Sequence, residues 1–189
     1  GSTDFVYTWF DDGLVQAGYS DNLNKRKITK TYSLPPGYNA ADIVGIGIAG
    51  SNDRVYTWYD NGRVSVGTTV DLDRYRSPYH YSLPPGYTET DIVAMAIAGS
   101  NDYVYTWYDD GNYSVGTSYD LDRYESPSVY QLPGAMTPAD IVSMGIAGST
   151  DYVYTWFDNY RFSVGVASEL DHVKGLNFYQ PQLGCYTPQ

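Results

Sequence analysis

Basic residues, histidine and cysteine are all scarce in this chain, and each shortage removes a class of function. Eleven Lys and Arg stand against 22 Asp and Glu, giving a net charge of −11 over 189 residues and an isoelectric point near 4.3. A field of that sign repels phosphate backbones, so nucleic-acid binding is not expected, while a neutral or cationic small ligand, a metal ion or a glycan is tolerated. The one cysteine, Cys185, excludes an intrachain disulfide and a Cys-rich zinc site. The two histidines, His80 and His172, sit in non-equivalent places. There is no H-E-x-x-H, no phosphate-binding glycine loop and no nucleophile with a partner signature. The sequence leans away from an enzyme; a single active site built from scattered residues, in a channel or on one face, is the alternative. No apolar run approaches membrane-spanning length and no signal peptide is seen, so a soluble protein is expected. Helical periodicity is missing too. Alternation of period two dominates.

What is abundant is aromatic and repeated. The motif V-Y-T-W-(Y/F)-D occurs four times, with Trp9, Trp58, Trp107 and Trp156 spaced by 49 residues. Ser51, Ser100 and Ser149 keep that spacing, as do Asp53, Asp102 and Asp151, and Tyr32, Tyr81, Tyr130 and Tyr179. The repeats run over about 2–50, 51–99, 100–148 and 149–189 of a single domain. Four copies at a period in the forties predict an all-β fold, a four-bladed β-propeller with about four strands per blade.

Within a unit, Val104–Tyr108 reads as a strand, Asp109-Asp110-Gly111 as a hairpin turn and Asn112–Gly116 as the return strand. Asp120–Tyr124 reads as an irregular or strand segment before Pro127, and Ile141–Ala147 as another strand. This last strand has one face kept small, Ser143, Gly145 and Ala147, and one bulky, Val142, Met144 and Ile146. Gly45, Gly47 and Ala49, and Ala94, Ala96 and Ala98, repeat the small face. A small face requires another backbone close by, as at a propeller axis. The D-I-V strand is therefore placed innermost, V-Y-T-W second, x-S-V-G third, and the L-D-R-Y region as the outer strand or its connection.

Only three D-I-V strands exist, headed by Asp42, Asp91 and Asp140, against four V-Y-T-W strands. One blade is thus expected to be short, the chain to be trimmed from a longer one, or the blade to be completed by another chain, which makes an oligomer one expectation. The tail 180–189 carries two prolines and is a poor substitute.

The unit resembles the haemopexin-like repeat in three ordered pieces. They are V-Y-T-W-Y-D-(D/N)-G; V-G-T-x-x-D-L-D-R-Y, as in Val66–Tyr75 and Val115–Tyr124; and L-P-P-G-Y-x-x-x-D-I-V, as in Leu83–Val93. The resemblance implies a four-bladed propeller. It also implies a Ca-like cation in the axial channel, held by carbonyls near Asp42, Asp91 and Asp140, which become candidate metal residues; the alternative is that each Asp caps the turn before its strand. That family often staples its first and last blades with a disulfide, which Cys185 alone does not allow. I-A-G-S-x-D-x-V-Y-T is also similar to the repeat of fucose-binding propeller lectins, whose aromatic-strand Arg is matched here by Arg54 only, with Phe5, Tyr103 and Tyr152 in the other copies.

The expected function is a non-catalytic, lectin-like binding module with repeated sites; a structural protein-docking domain is a further alternative. Candidate ligand residues are Trp9, Trp58, Trp107 and Trp156 as stacking platforms, with Tyr59, Tyr108, Asp60, Asp109, Asp158, Arg74 and Arg123. Against this, a mid-strand Trp in a repeat belongs to the core between blades, and Arg74 and Arg123 follow Asp73 and Asp122 as local ion pairs. The pairs Asp71/Asp73 and Asp120/Asp122 read as turn caps.

Overall fold

Val, Tyr, Thr and Trp favour the pleated, half-buried surface of a sheet, and in the first three repeats a glycine four residues after the Trp, Gly13, Gly62 or Gly111, helps turn the chain back on itself. A computed structural model describes residues 5–23 and 29–180; Ser2, Asp4, the segment 24–28, Cys185 and the rest of 181–189 lie outside the described residues. The first sheet holds β1 (Val6–Trp9), β2 (Leu14–Gly18) and β3 (Lys30–Thr31). The second holds β4 (Ile43–Ile48), β5 (Val55–Tyr59), β6 (Arg63–Gly67) and β7 (Arg76–His80). The third runs β8 (Ile92–Ile97), β9 (Val104–Tyr108), β10 (Asn112–Gly116), β11 (Glu125–Val129), and the fourth β12 (Ile141–Ile146), β13 (Val153–Phe157), β14 (Arg161–Val166), β15 (Glu169–Phe178). Every pairing is antiparallel and follows chain order, so each sheet is a blade of a four-bladed β-propeller. Helix is confined, among the described residues, to the one-turn 3-10 segments Ala40–Asp42, Glu89–Asp91 and Pro138–Asp140.

The D-I-V strands are innermost and V-Y-T-W second, as expected. Of the two expectations for L-D-R-Y, outer strand or its connection, the second holds in blades two and three. In blades two and three L-D-R-Y is a turn, and the outer strand lies just after it, running through Pro78 and Pro127. Proline is tolerated there because an edge strand has a row of N–H groups with no ladder partner. In blade four the strand already begins at Glu169.

Adjacent blades are strapped by the tryptophans. The indole Nε1 of Trp9 donates to the carbonyl of Thr69 (3.1 Å), Trp58 to Ser118 (3.0 Å) and Trp107 to Ala167 (3.1 Å). Trp156 donates to Ser20 at 3.0 Å, the position one repeat before Thr69, so blade four meets blade one by the same contact. Parallel bridges Ser33–Asp71, Ser82–Asp120 and Gln131–Glu169 are likewise continued by Gln180–Asn22. The ring is closed.

Inner strands interlock by size, and at Gly45 and Gly47 the small face meets chiefly side chains where the sequence reading placed backbone. A Cβ added to Gly45 would lie 2.8 Å from the Met95 side chain, and one on Gly47 2.6 Å from Ile97. The small face of β4 thus receives the bulky face of β8, and Ala94 and Ala96 of β8 pack with Met144 of β12. At one end of these strands Gly50, Gly99 and Gly148 touch backbone to backbone, leaving no room for a side chain.

The blades are not equal inside. In blade two the Tyr59 hydroxyl donates to Ser65 Oγ (2.9 Å), which donates to the Leu72 carbonyl (2.9 Å); Tyr108, Ser114 and Leu121 repeat the chain in blade three. Blades one and four carry Phe10 with Gln16 and Phe157 with Ser163 at these places, and Gln16 Oε1 and Ser163 Oγ are buried without a hydrogen-bond partner. Blade four also holds Tyr160 at φ 63° where glycine serves the other hairpins.

Two outcomes follow for stability. Ala96→Leu overpacks the site against Met144 and lowers unfolding free energy by about 1–3 kcal/mol, read from the urea midpoint. Phe157→Tyr gives Ser163 the partner it lacks and raises stability by roughly 0.5–1.5 kcal/mol, seen as a higher midpoint at unchanged slope.

Candidate functional site

Two concave regions emerge from this architecture. The larger lies beside the first sheet, which holds three strands among the described residues. An opening of about 590 Å³ lies on the axis beside β1, lined by Val6 and Trp9, by Ile46 and Ile48 of β4, and by Ser143 and Gly145 of β12. The smaller is a cleft of about 320 Å³ on the hairpin face of blade three, formed by Gly86, Tyr87, Asp91, Asp109 and Asp110.

The small cleft is built by local rules. Gly86 takes φ 93°, which lets the Pro84-Pro85-Gly86 turn bring Tyr87 over Tyr108, with ring centroids 4.1 Å apart. The Tyr87 hydroxyl donates to Asp110 Oδ2 (2.7 Å) and accepts from Asn112 Nδ2 (3.0 Å). Burial pushes Asp110 up, but the bonds from Tyr87 and Asn112 outweigh it and hold the carboxyl below its usual range. Burial and the bond to Asp110 raise the Tyr87 phenol. Blade two repeats the arrangement with Tyr38 over Tyr59 (4.2 Å) and Asn61 Nδ2 donating to the Tyr38 hydroxyl (3.1 Å). Blade four replaces the tyrosine by Met136, facing Asn159.

The predicted ligand residues divide. Trp58 and Trp107 are fully buried and Trp156 nearly so; no ring face of Trp58 or Trp107 is open to stack a sugar. Trp9 is half-buried because it borders the axial opening. Tyr59 and Tyr108 are fully buried. Alternation explains this: Trp58 points between blades and Tyr59 points the other way, yet both faces of the blade are covered. Asp60, Asp109 and Asp158 are exposed at the hairpin face, and Asp109 joins Asp91 in the cleft. Arg74 and Arg123 are exposed; Arg123 bonds the Tyr119 hydroxyl (3.1 Å) rather than Asp122. Burial, then the adjacent Asp120, raises the Asp122 carboxyl. The residues not picked out from sequence are Tyr38, Tyr87, Asn61, Asp110 and Asn112. Their signal was the 49-residue recurrence of the P-P-G-Y turn with a polar hairpin tip.

Asp42, Asp91 and Asp140 occupy the last position of the 3-10 turns. Asp42 Oδ2 accepts from the Asn39 amide (2.7 Å), Asp91 from the Thr88 amide and hydroxyl (2.7 and 2.9 Å), and Asp140 from those of Thr137 (2.6 and 2.9 Å). The Thr137 amide and hydroxyl hold the Asp140 carboxyl below its usual range. Their carbonyls accept from the amides of Asp60, Asp109 and Asp158 within the same blade. The three carboxylates, in blades two, three and four, are folded back on their own turns, and among the described residues no group of three or more His, Cys, Asp or Glu gathers. The histidines lie on outer strands; His172 Nδ1 stands 3.1 Å from Glu169 Oε2, both exposed.

No protein-family model matches this sequence, and no curated protein does. Among solved structures the chain is similar to PorZ, described as an essential bacterial surface component of the type-IX secretion system of Porphyromonas gingivalis, at 12% identity and a TM-score of 0.43. The match covers 96% of this chain and 25% of PorZ, so the chain spans about a quarter of that protein.

The buried phenols give a pH signature. Burial pushes Tyr59 to about 12 and drives Tyr81, Tyr108 and Tyr130 up as well, against roughly 10 for an exposed tyrosine. Above pH 10 the unfolded chain releases protons that the native chain keeps. Stability from the neutral phenols is therefore whole below about pH 10 and is lost as pH rises through the raised values. Tyrosinate absorbance is expected to rise in two stages, exposed tyrosines first and the buried set only with base unfolding; Tyr59→Phe makes the decline of stability with pH shallower.

Proposed function

We propose that the chain is a non-catalytic binding module that offers equivalent polar clefts on the hairpin face of successive blades to a neutral or cationic ligand, a glycan above all. The observation that carries this is the Tyr87–Asp110–Asn112 cluster in an open cleft and its recurrence as Tyr38–Asn61. A tyrosine edge beside amide and carboxylate groups matches the mixed apolar and hydroxyl surface of a sugar, and the charge of −11 disfavours anions. Repetition on a rigid ring favours multivalent engagement, in which weak sites add through effective concentration. The resemblances to haemopexin-like repeats and fucose-binding propeller lectins support a binding role of this kind, although the one matching arginine, Arg54, lies over the Tyr75 ring at 5.1 Å. No role for a cation is derived from Asp42, Asp91 and Asp140.

A glycan array followed by calorimetric titration tests the reading. Saturable binding with more than one ligand per chain is expected, and Tyr87→Ala should remove part of the capacity while leaving the Tyr38 site. A stoichiometry of one, abolished by a change at a residue unique to one repeat, points instead to a single enzyme-like site.

A further inference from the structure

Each blade turns one row of side chains towards the blade that follows it, on the side from which its tryptophan bonds across. Strand register sets the row. Tyr56, Val66 and Arg76 stand opposite one another in blade two. Tyr105, Val115 and Glu125 do so in blade three, and Tyr154, Val164 and Lys174 in blade four. Directly opposite residues share a face of the sheet, and each tyrosine, two residues before its tryptophan, shares that face too. The tyrosine and the valine are constant. The third place changes sign: Arg, Glu, Lys.

The cations of blades two and four define what this place accepts. Arg76 Cζ lies 3.7 Å from the centre of the Tyr79 ring, and Lys174 Nζ 5.8 Å from that of Phe162, both within cation–π range. Blade three keeps the ring pair of blade four. Tyr105 and Tyr113 stand 6.4 Å apart at 19°, Tyr154 and Phe162 6.4 Å apart at 17°. It does not keep the cation. Glu125 takes the place of Lys174, is exposed, and among the described residues is ion-paired with no Lys or Arg. Arg123 bonds the Tyr119 hydroxyl instead. We propose that this place in blade three binds an alkylammonium group brought by a ligand, set between the Glu125 carboxylate and the Tyr105–Tyr113 ring pair. Blade four carries its own ammonium there; blade three takes one from solution.

Electrostatics support the assignment. Burial, then the Glu125 carboxylate, raises the Tyr113 phenol, and burial, then Asp151 and Glu125, raises that of Tyr105. Both carboxylates therefore face these rings. Asp151 comes from blade four and accepts from the Ser100 amide at 3.2 Å. Tyr105 is half-buried, so the place is reached from solvent. An ammonium offers donors to carboxylate oxygens and a compact charge to a ring face, and the net charge of −11 draws cations to the surface. The blade-two cation is a guanidinium on a different ring, Tyr79; the ring pair of blade three is the one that lysine covers in blade four. None of these residues belongs to the hairpin-face clefts.

Butylammonium, the charged end of a lysine, is titrated into the full chain while tyrosine ring resonances are followed by NMR. Saturable shifts of Tyr105 and Tyr113 that weaken with added salt are expected. Butanol, similar in shape and neutral, should not produce them. Glu125→Lys gives blade three the residue of blade four, so it should keep its thermal midpoint and lose the binding. Glu125→Gln keeps the shape and should weaken binding about fivefold. Lys174→Glu should open a second site, seen at Tyr154. Putrescine and Nα-acetyl-lysine amide carry the same group, and whichever binds tighter tells a free amine from a lysine side chain. Absence of the shifts, equal shifts with butanol, or full binding by Glu125→Lys overturns the proposal. So does a Lys174→Glu protein without the second site. Loss of binding in Tyr87→Ala overturns it too, assigning the ammonium to the hairpin-face cleft.

Discussion

The indole N–H of each repeat tryptophan bonds a carbonyl of the next blade, and the rest of the ring is organised around that bond. A buried indole supplies large apolar area, and its one donor must find an acceptor because an unmatched buried N–H costs about 1–3 kcal/mol. A carbonyl at a fixed place in the following blade satisfies it and fixes the angle between sheets. Because the bond lies between second strands and the neighbouring connection, it does not require an inner strand. That is why the ring closes at Trp156–Ser20 although the first sheet has three strands.

Closure without completion redistributes strain and waste. Blades two and three alone hold the full Tyr–Ser–carbonyl chains, and of their inner strands only β8 has an inner-strand neighbour on both sides. Blades one, two and four border the opening; the unpartnered Gln16 Oε1 and Ser163 Oγ and the positive φ of Tyr160 fall in blades one and four, while the Thr57 and Thr106 hydroxyls are buried without a partner in blades two and three. A repeat ring behaves as units coupled to nearest neighbours, so a unit with one weakened neighbour drifts from the common pattern first.

The sequence made the blade order legible because its signals were local. The small face of Gly45, Gly47 and Ala49 could lie only at the axis, and three D-I-V strands against four V-Y-T-W strands announced a missing place. The outer strand was left open between L-D-R-Y and its connection because Pro78 and Pro127 argue against a strand everywhere except at an edge, and edge position is a tertiary fact. The site was less legible. Tyr59 and Trp58 look like binding residues by type, yet both are covered, one by its own blade's connection and one by the next blade. The aspartate at the head of each inner strand was read both as an ion ligand and as a cap; its carboxylate is bound to the turn that precedes it.

The two concave regions draw on opposite properties of the repeat. The hairpin-face clefts depend on likeness: each is made within one blade, from its own P-P-G-Y turn and hairpin tip, and needs only that the blade be held rigidly. The axial opening depends on unlikeness, since it is lined by all four blades and lies where the fourfold pattern fails among the described residues. None of Tyr38, Tyr87 or Asp110 lines it. A change at the axis reaches the clefts chiefly through the stiffness of blades two and four, whose β4 and β12 line the opening with β1, and least through blade three, whose inner strand already has both neighbours.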